Sequence, residues 1–362
     1  NYSADLARQN YYGIHALPRA WMSSTVSYTF SKHGSPQEVL KPVLGEALGS
    51  PKDNQISVTF LAAGISSVDL ETIQGQGGAA AADSVKGPTV AGHEGVAVVT
   101  AVGSGVKDIQ PGDHVIPIKM NVGTWRTQGI VQASDVAVVP KSVKIEYAGT
   151  MSVAGLCAYQ LIKQSGVKEG DVIIQNGAED PIGQAVVQLA NAMQISTICI
   201  VPDNPLQQAR WSVMLQLMGA EVVVPESYLS SEGIKLVLND FKPPKAFFNK
   251  SSSSSGAAIA KLLSKGTPTI CFGAGSSDHE KGLSDLKLSH VSIGSLMDSI
   301  PKSEVPSVVS YLANLAEQGK LNFWLQRVSM TDMSAALKDS MSPTLDRKVV
   351  LVTKEGEKLV SK

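Results

Sequence analysis

Cysteines and aromatic residues are scarce in this 362-residue chain. Cys157, Cys199 and Cys271 are its only cysteines, and Phe, Trp and Tyr together make up 5%. Three scattered cysteines in apolar runs exclude a disulfide framework and predict buried thiols in a reducing compartment. Neither sign of charge is in excess: the net charge is −1. The chain as a whole therefore offers no polycationic surface, and direct nucleic-acid contact is not indicated. No apolar run is long enough to span a bilayer. One absence is local: no tyrosine occurs between Tyr28 and Tyr147.

Hydrophobic residues make up 43% of the chain and its length allows two domains. Residues 26–30, 55–62, 94–102, 114–118 and 135–139 have strand composition, separated by turns such as Gln110-Pro111-Gly112-Asp113. After Tyr147 the pattern changes. Apolar strands at 172–175, 197–201, 221–224, 246–248 and 269–272 alternate with helix-patterned runs at 184–193, 207–217, 233–238 and 257–263. The run 290–296 is a candidate sixth strand. Such alternation predicts a doubly wound parallel sheet with helices on both faces. A helix over 305–317 and a final strand over 348–352 follow. The serine run 251–255 reads as a loop.

The first strand of that alternating part leads into Gln175-Asn176-Gly177-Ala178-Glu179-Asp180-Pro181-Ile182-Gly183. A strand–turn–helix of this kind usually rests a pyrophosphate on the helix N-terminus. Here two acids would repel the phosphate, and Pro181 lacks one N–H donor. Structurally the same residues make a good helix start, with Asp180 as N-cap and Pro181 at the first helical position.

The run Gly92-His93-Glu94-Gly95, then Val102-Gly103-Ser104-Gly105-Val106, then Gln110 to Pro117 resembles the medium-chain dehydrogenase/reductase superfamily. Asp69 to Gly75, Gly123-Thr124-Trp125-Arg126 and Gln175-Asn176 are similar to the mitochondrial trans-2-enoyl thioester reductases within it. The resemblance implies an α/β chain: a GroES-like β-rich domain interrupted by a Rossmann domain. The division would be an extension at 1–24, the GroES-like domain at 25–146 and 297–362, and the Rossmann domain at 147–296. It also implies a homodimer through the Rossmann sheet edge and an active site in the interdomain cleft. Active members reduce 2-enoyl thioesters with NADPH, assisted by a tyrosine. A mitochondrial location follows by resemblance. The first residues, with Arg8 and Arg19 against Asp5, read either as the remains of a processed presequence or as a plain extension.

Tested residue by residue, the family's chemistry is missing. Gly77 stands at the tyrosine position, so no catalytic residue is expected there; general acid help is worth roughly 10²–10⁴ in rate. Ser84 is a weak substitute. Where active members carry two arginines for the 2′-phosphate, this chain has Pro202-Asp203-Asn204. Asp203 either holds a ribose, which would favour NADH, or serves the turn before Pro205. The cofactor-facing segments after the fourth and fifth strands read Asn249-Lys250-Ser251 and Phe272-Gly273-Ala274. The vestigial cofactor residues are thus Gly177, Asp180, Gly183, Asp203 and Gly273. A zinc site would need cysteine partners near His93, and the aligned positions are Ser66 and Val153. His93 and Trp125 are therefore expected as packing residues, and no metal is expected.

Two functional readings follow. In the first, no cofactor is expected, and the chain is a catalytically degenerate scaffolding subunit with protein partners in a mitochondrial assembly, such as a ribosome, a respiratory complex or an RNA-processing complex. In the alternative, it is an active NADPH- or NADH-dependent reductase of a 2-enoyl thioester, or a related quinone or alkene reductase. That alternative requires Glu179 and Asp180 to point away from the cleft.

Overall fold

The computed structural model of the protein describes residues 25–45, 48–76, 85, 87–251, 253–273, 282–342 and 347–360. The extension at 1–24, Gly77 and Ser84 lie outside the described residues.

The first lobe contains β1 (Thr25–Phe30), α1 (Pro36–Val39), β2 (Lys41–Gly45), β3 (Gln55–Gly64), α2 (Ser67–Gln74) and β4 (Thr89–Val90). It continues with β5 (Val96–Val102), β6 (His114–Pro117), β7 (Gln128–Gln132), β8 (Val136–Val139) and α3 (Ile145–Ala148). β2, β1 and β4 make a small antiparallel sheet. β3 is the longest strand and pairs antiparallel with β5 and β7. Local chemistry defines α2. Ser66 and Asp69 form a reciprocal capping box at its start, and Gly75 ends it at φ +79°.

The second lobe runs through α4 (Ser152–Ser165), β9 (Val172–Asn176), α5 (Pro181–Ala192), β10 (Ser196–Val201), α6 (Gln208–Leu217) and β11 (Val222–Pro225). It goes on through α7 (Gly233–Asn239), β12 (Ala246–Lys250), α8 (Gly256–Ala260), β13 (Pro268–Phe272), β14 (Lys287–Val291) and α9 (Ile293–Asp298), and α10 (Val305–Glu317) follows, packed against both β8 and α4. Its six described strands lie in the order β11-β10-β9-β12-β13-β14, all parallel. This is the doubly wound order that alternation predicts. The central strand β9 is buried along its whole length, as a strand covered on both faces must be.

The candidate strand at 290–296 needs correction. The strand lies earlier, at Lys287–Val291, and Ile293–Asp298 is a helix. Ser292 stops the strand because its hydroxyl caps the next helix, accepting the Ser295 N–H at 3.0 Å. The apolar run had merged two elements across that cap.

The chain then returns to the first lobe with β15 (Leu325–Ser329), α11 (Met333–Ser340), β16 (Lys348–Val352) and α12 (Lys354–Val360). β16 pairs antiparallel with β3 and parallel with β15, completing a seven-stranded sheet. One core runs through both lobes: Leu61 and Val96 join Leu156 of α4, Ile173 of β9 and Leu312 of α10. All three cysteines are buried. Among the described residues no helix is long and apolar enough to cross a membrane.

Candidate functional site

The turn after β9 is closed by its own side chains. Gly177 turns the chain at φ +64°, and Asp180 caps α5. One Asp180 carboxylate oxygen accepts the Ile182 N–H at 3.1 Å. The other accepts the Ser67 hydroxyl at 2.7 Å and the Lys250 ammonium at 2.9 Å. Ser67 is the first residue of α2, so this bond crosses from one lobe to the other. Lys250 ends β12, and its stem lies over the glycine turn: a Cβ on Gly177 would sit 2.7 Å from Lys250 Cδ.

The electrostatics follow from burial and pairing. Burial alone would push Asp180 up, but Lys250 and the donors of Ser67 and Ile182 hold it below the usual carboxylate range. Burial would lower Lys250, and Asp180 and Glu179 more than reverse that. Glu179 is pushed up to about 7 by burial, against the pull of Lys250. Glu71, one turn along α2 from Ser67, is likewise raised to about 7 by burial. Three carboxylates, Asp180, Glu179 and Glu71, thus act on one ammonium, and Glu226 acts in turn on Glu179.

Beneath the turn, the polar ends of the central strands bond to one another, although the buried Gln175 Oε1 has no hydrogen-bond partner among the described residues. Asn176 donates to Asn249 at 2.7 Å and to Ser255 at 3.3 Å, and accepts the Lys250 N–H at 2.6 Å. Gln175 donates to the Gly183 carbonyl at 3.1 Å. Between the lobes there remains a cleft of about 270 Å³, lined by Ser67, Glu179, Asp180, Trp211, Lys250 and Trp324 among others. Glu179 and Asp180 face it and do not turn away.

The other sequence-predicted positions are spread around this turn. Asp203, just beyond β10, is exposed and accepts from both the N–H and the hydroxyl of Ser227, at 3.2 and 2.8 Å. It therefore ties two loops together. Gly273 follows β13 at φ +89°, and among the described residues nothing lies within 4 Å of where its Cβ would stand. Gly183 meets the backbone of the Gly177 turn. His93 is buried and makes two ring contacts: Nδ1 accepts the Asn121 N–H at 3.1 Å, and Nε2 faces the Thr72 hydroxyl at 3.0 Å. Because that hydroxyl donates to Val68, Nε2 carries the proton. Burial also lowers the His93 pKa, so the ring is neutral. Trp125 is fully buried and donates its indole N–H to the Gly64 carbonyl at 3.0 Å. Both are packing residues, as their surroundings in the sequence suggest. Among the described residues, no group of His, Cys, Asp and Glu could hold a metal ion.

Sequence reasoning missed the roles of Lys250, Ser67 and Glu71. Lys250 did carry a signal, because a lone lysine ending a central strand beside two acids of the next turn is a candidate counter-ion. Ser67 and Glu71 carried none, since only folding brings α2 to the turn.

Comparison with known proteins agrees with this architecture. Residues 52–167 match the alcohol dehydrogenase GroES-like domain. The mitochondrial enoyl-[acyl-carrier-protein] reductase of Rattus norvegicus is 30% identical over 331 residues, covering 89% of this chain and 87% of its own. The chain belongs to the mitochondrial enoyl-thioester reductase branch of the medium-chain dehydrogenases/reductases. Another reductase of this branch, from Arabidopsis thaliana, is 31% identical over 318 residues, covering 85% of this chain and 82% of its own. Two solved structures show the same fold. The mitochondrial 2-enoyl thioester reductase heterodimer of Candida tropicalis superposes with TM-score 0.74 at 22% identity, covering 91% of this chain and 99% of its own. The quinone oxidoreductase of Escherichia coli, complexed with NADPH, superposes with TM-score 0.76 at 21% identity, covering 90% of this chain and 99% of its own.

Proposed function

We propose that this chain is a member of the enoyl-reductase family that has lost dinucleotide-dependent reduction and serves as a binding subunit of a larger mitochondrial assembly. One observation carries the reading: the Asp180 carboxylate sits at the N-terminus of α5, bonded to Lys250 and Ser67, with the Lys250 stem across Gly177. A helix N-terminus attracts one anion, and here that anion is internal. A diphosphate would have to displace a buried ion pair and then face Glu179. The missing tyrosine at Gly77 and the missing arginines beside Asp203 point the same way. The mitochondrial setting rests on the names of the relatives.

The second reading is an active reductase, and the comparisons favour it. The relatives carry that name along most of their length, and a neighbouring structure of the same fold is a complex with NADP and crotonyl-CoA. NADPH would be the cofactor by analogy, or NADH given the absence of arginines beside Asp203.

Thermal unfolding of the purified protein with saturating NADPH or NADH separates the two, because a ligand of the native state must stabilise it. No shift with either, together with no reduction of crotonyl thioester, is the expected result. A clear shift with turnover would establish the reductase.

A further inference from the structure

We propose that Ser67, Asp180 and Lys250 form a built-in clasp that holds the two lobes closed across the cleft without a ligand. The proposal rests on the reading above, in which no dinucleotide occupies this seat, and it identifies what bridges the lobes in its place.

Each part of the clasp is anchored in a different rigid element. Ser67 opens α2, and that helix start is fixed twice. The Ser66–Asp69 capping box sets its direction, and the second Asp69 oxygen accepts the His93 N–H at 2.9 Å. Asp180 is held by its own cap bond to Ile182. Lys250 is held by its backbone bond to Asn176 and by the packing of its stem on Gly177. The Ser67 hydroxyl therefore meets the carboxylate at a preorganised point, which keeps the entropic cost of closure low.

A further carboxylate, raised chiefly by burial, lies near the clasp. Glu71 lies four residues after Ser67 and so shares its face of α2. Its carboxylate is attracted by the Lys250 ammonium and repelled by Asp180. Parting the lobes would break the Ser67–Asp180 bond. It would also expose the Asp180 side chain, which is only 8% accessible when closed. Asp180 and Lys250 belong to the same lobe, so their pair survives opening. Lys250 shapes and neutralises the acceptor, and Ser67 makes the crossing.

Hydrogen exchange by mass spectrometry on the full chain tests this with wild type, Ser67→Ala, Lys250→Met and Lys250→Arg. Ser67→Ala and Lys250→Met are expected to speed exchange in the first turns of α2 and α5 by about tenfold, the size set by loss of one charge-assisted hydrogen bond. Lys250→Arg is expected to keep most of the protection. The strands β5 and β10 serve as internal controls and should not change. Unaltered exchange in α2 and α5 for both loss variants, with the strands still protected, would overturn the clasp. If Lys250→Met loses strand protection, Ser67→Ala alone decides, since it removes only one oxygen. A thermal shift of the wild type with NADPH or NADH would instead overturn the functional reading, so the two failures are distinguishable.

Discussion

Gly183 meets the carbonyl of Gly177 so closely that a Cβ there would lie 2.4 Å from the oxygen and 2.6 Å from Ala178 Cα. Both contacts are with backbone, so no side chain can swing aside. The first turn of α5 is thereby pressed onto the turn it follows, and Asp180 is held between them.

Gly183→Ala should therefore destabilise the protein by about 2 kcal/mol or more, through a forced backbone shift. A lower urea midpoint measures it. A midpoint equal to wild type would mean that the turn is more pliable than its packing indicates.

Burial raises Glu179 from its usual 4.5 to about 7. The stability that comes from its protonated form is complete below 4.5 and is lost as pH rises through about 7. Lys250 opposes that loss; Asp180 and Glu226 add to it. Glu179→Gln removes the titration. Its melting temperature should exceed that of wild type by about 2 °C at pH 8, with little difference at pH 4.5. Parallel melting curves at both pH values would contradict this.

Lys348 pairs with Glu94 deep in the core, where their side chains are 4% and 0% exposed. Lys348 also donates to the Thr150 carbonyl at 3.0 Å. Burial pushes Glu94 up to about 7, while Lys348 pulls it down. Removing one partner of a buried pair costs about 3–5 kcal/mol, so Lys348→Met should lower stability by that order. Adding Glu94→Gln should restore part of it, since the stranded charge is gone. Denaturant titration of the two single variants and the double variant reads the coupling. Strict additivity would count against the pair.

Trp125→Phe keeps most of the packing but strands the Gly64 carbonyl, which has lost its indole donor. A buried unsatisfied acceptor costs about 1–3 kcal/mol. A reduced urea midpoint with unchanged cooperativity is the expected outcome, and a midpoint within error of wild type would show that the acceptor finds another partner.

Much of the fold was legible along the chain. The helix at Val305–Glu317 and the strand at Lys348–Val352 occur where hydrophobic pattern alone places them. The boundary at Ser292 was hidden because an apolar run does not show where its period changes from strand to helix. The long helix α4 and the closing helix α12 were not read at all. In α4 nearly every face is buried, so no amphipathic stripe marks it.

What the sequence determined by itself is local: a glycine that turns, an aspartate that caps and a proline that opens a helix, with an acid where a phosphate would need a donor. These follow from bonds between near neighbours, such as Asp180 with Ile182. What only the tertiary structure decided is how that acid is neutralised. Its partners Lys250 and Ser67 are 70 and 113 positions away. A buried carboxylate must find a donor or a cation wherever the fold supplies one, and folding brought both from opposite lobes to the same oxygen.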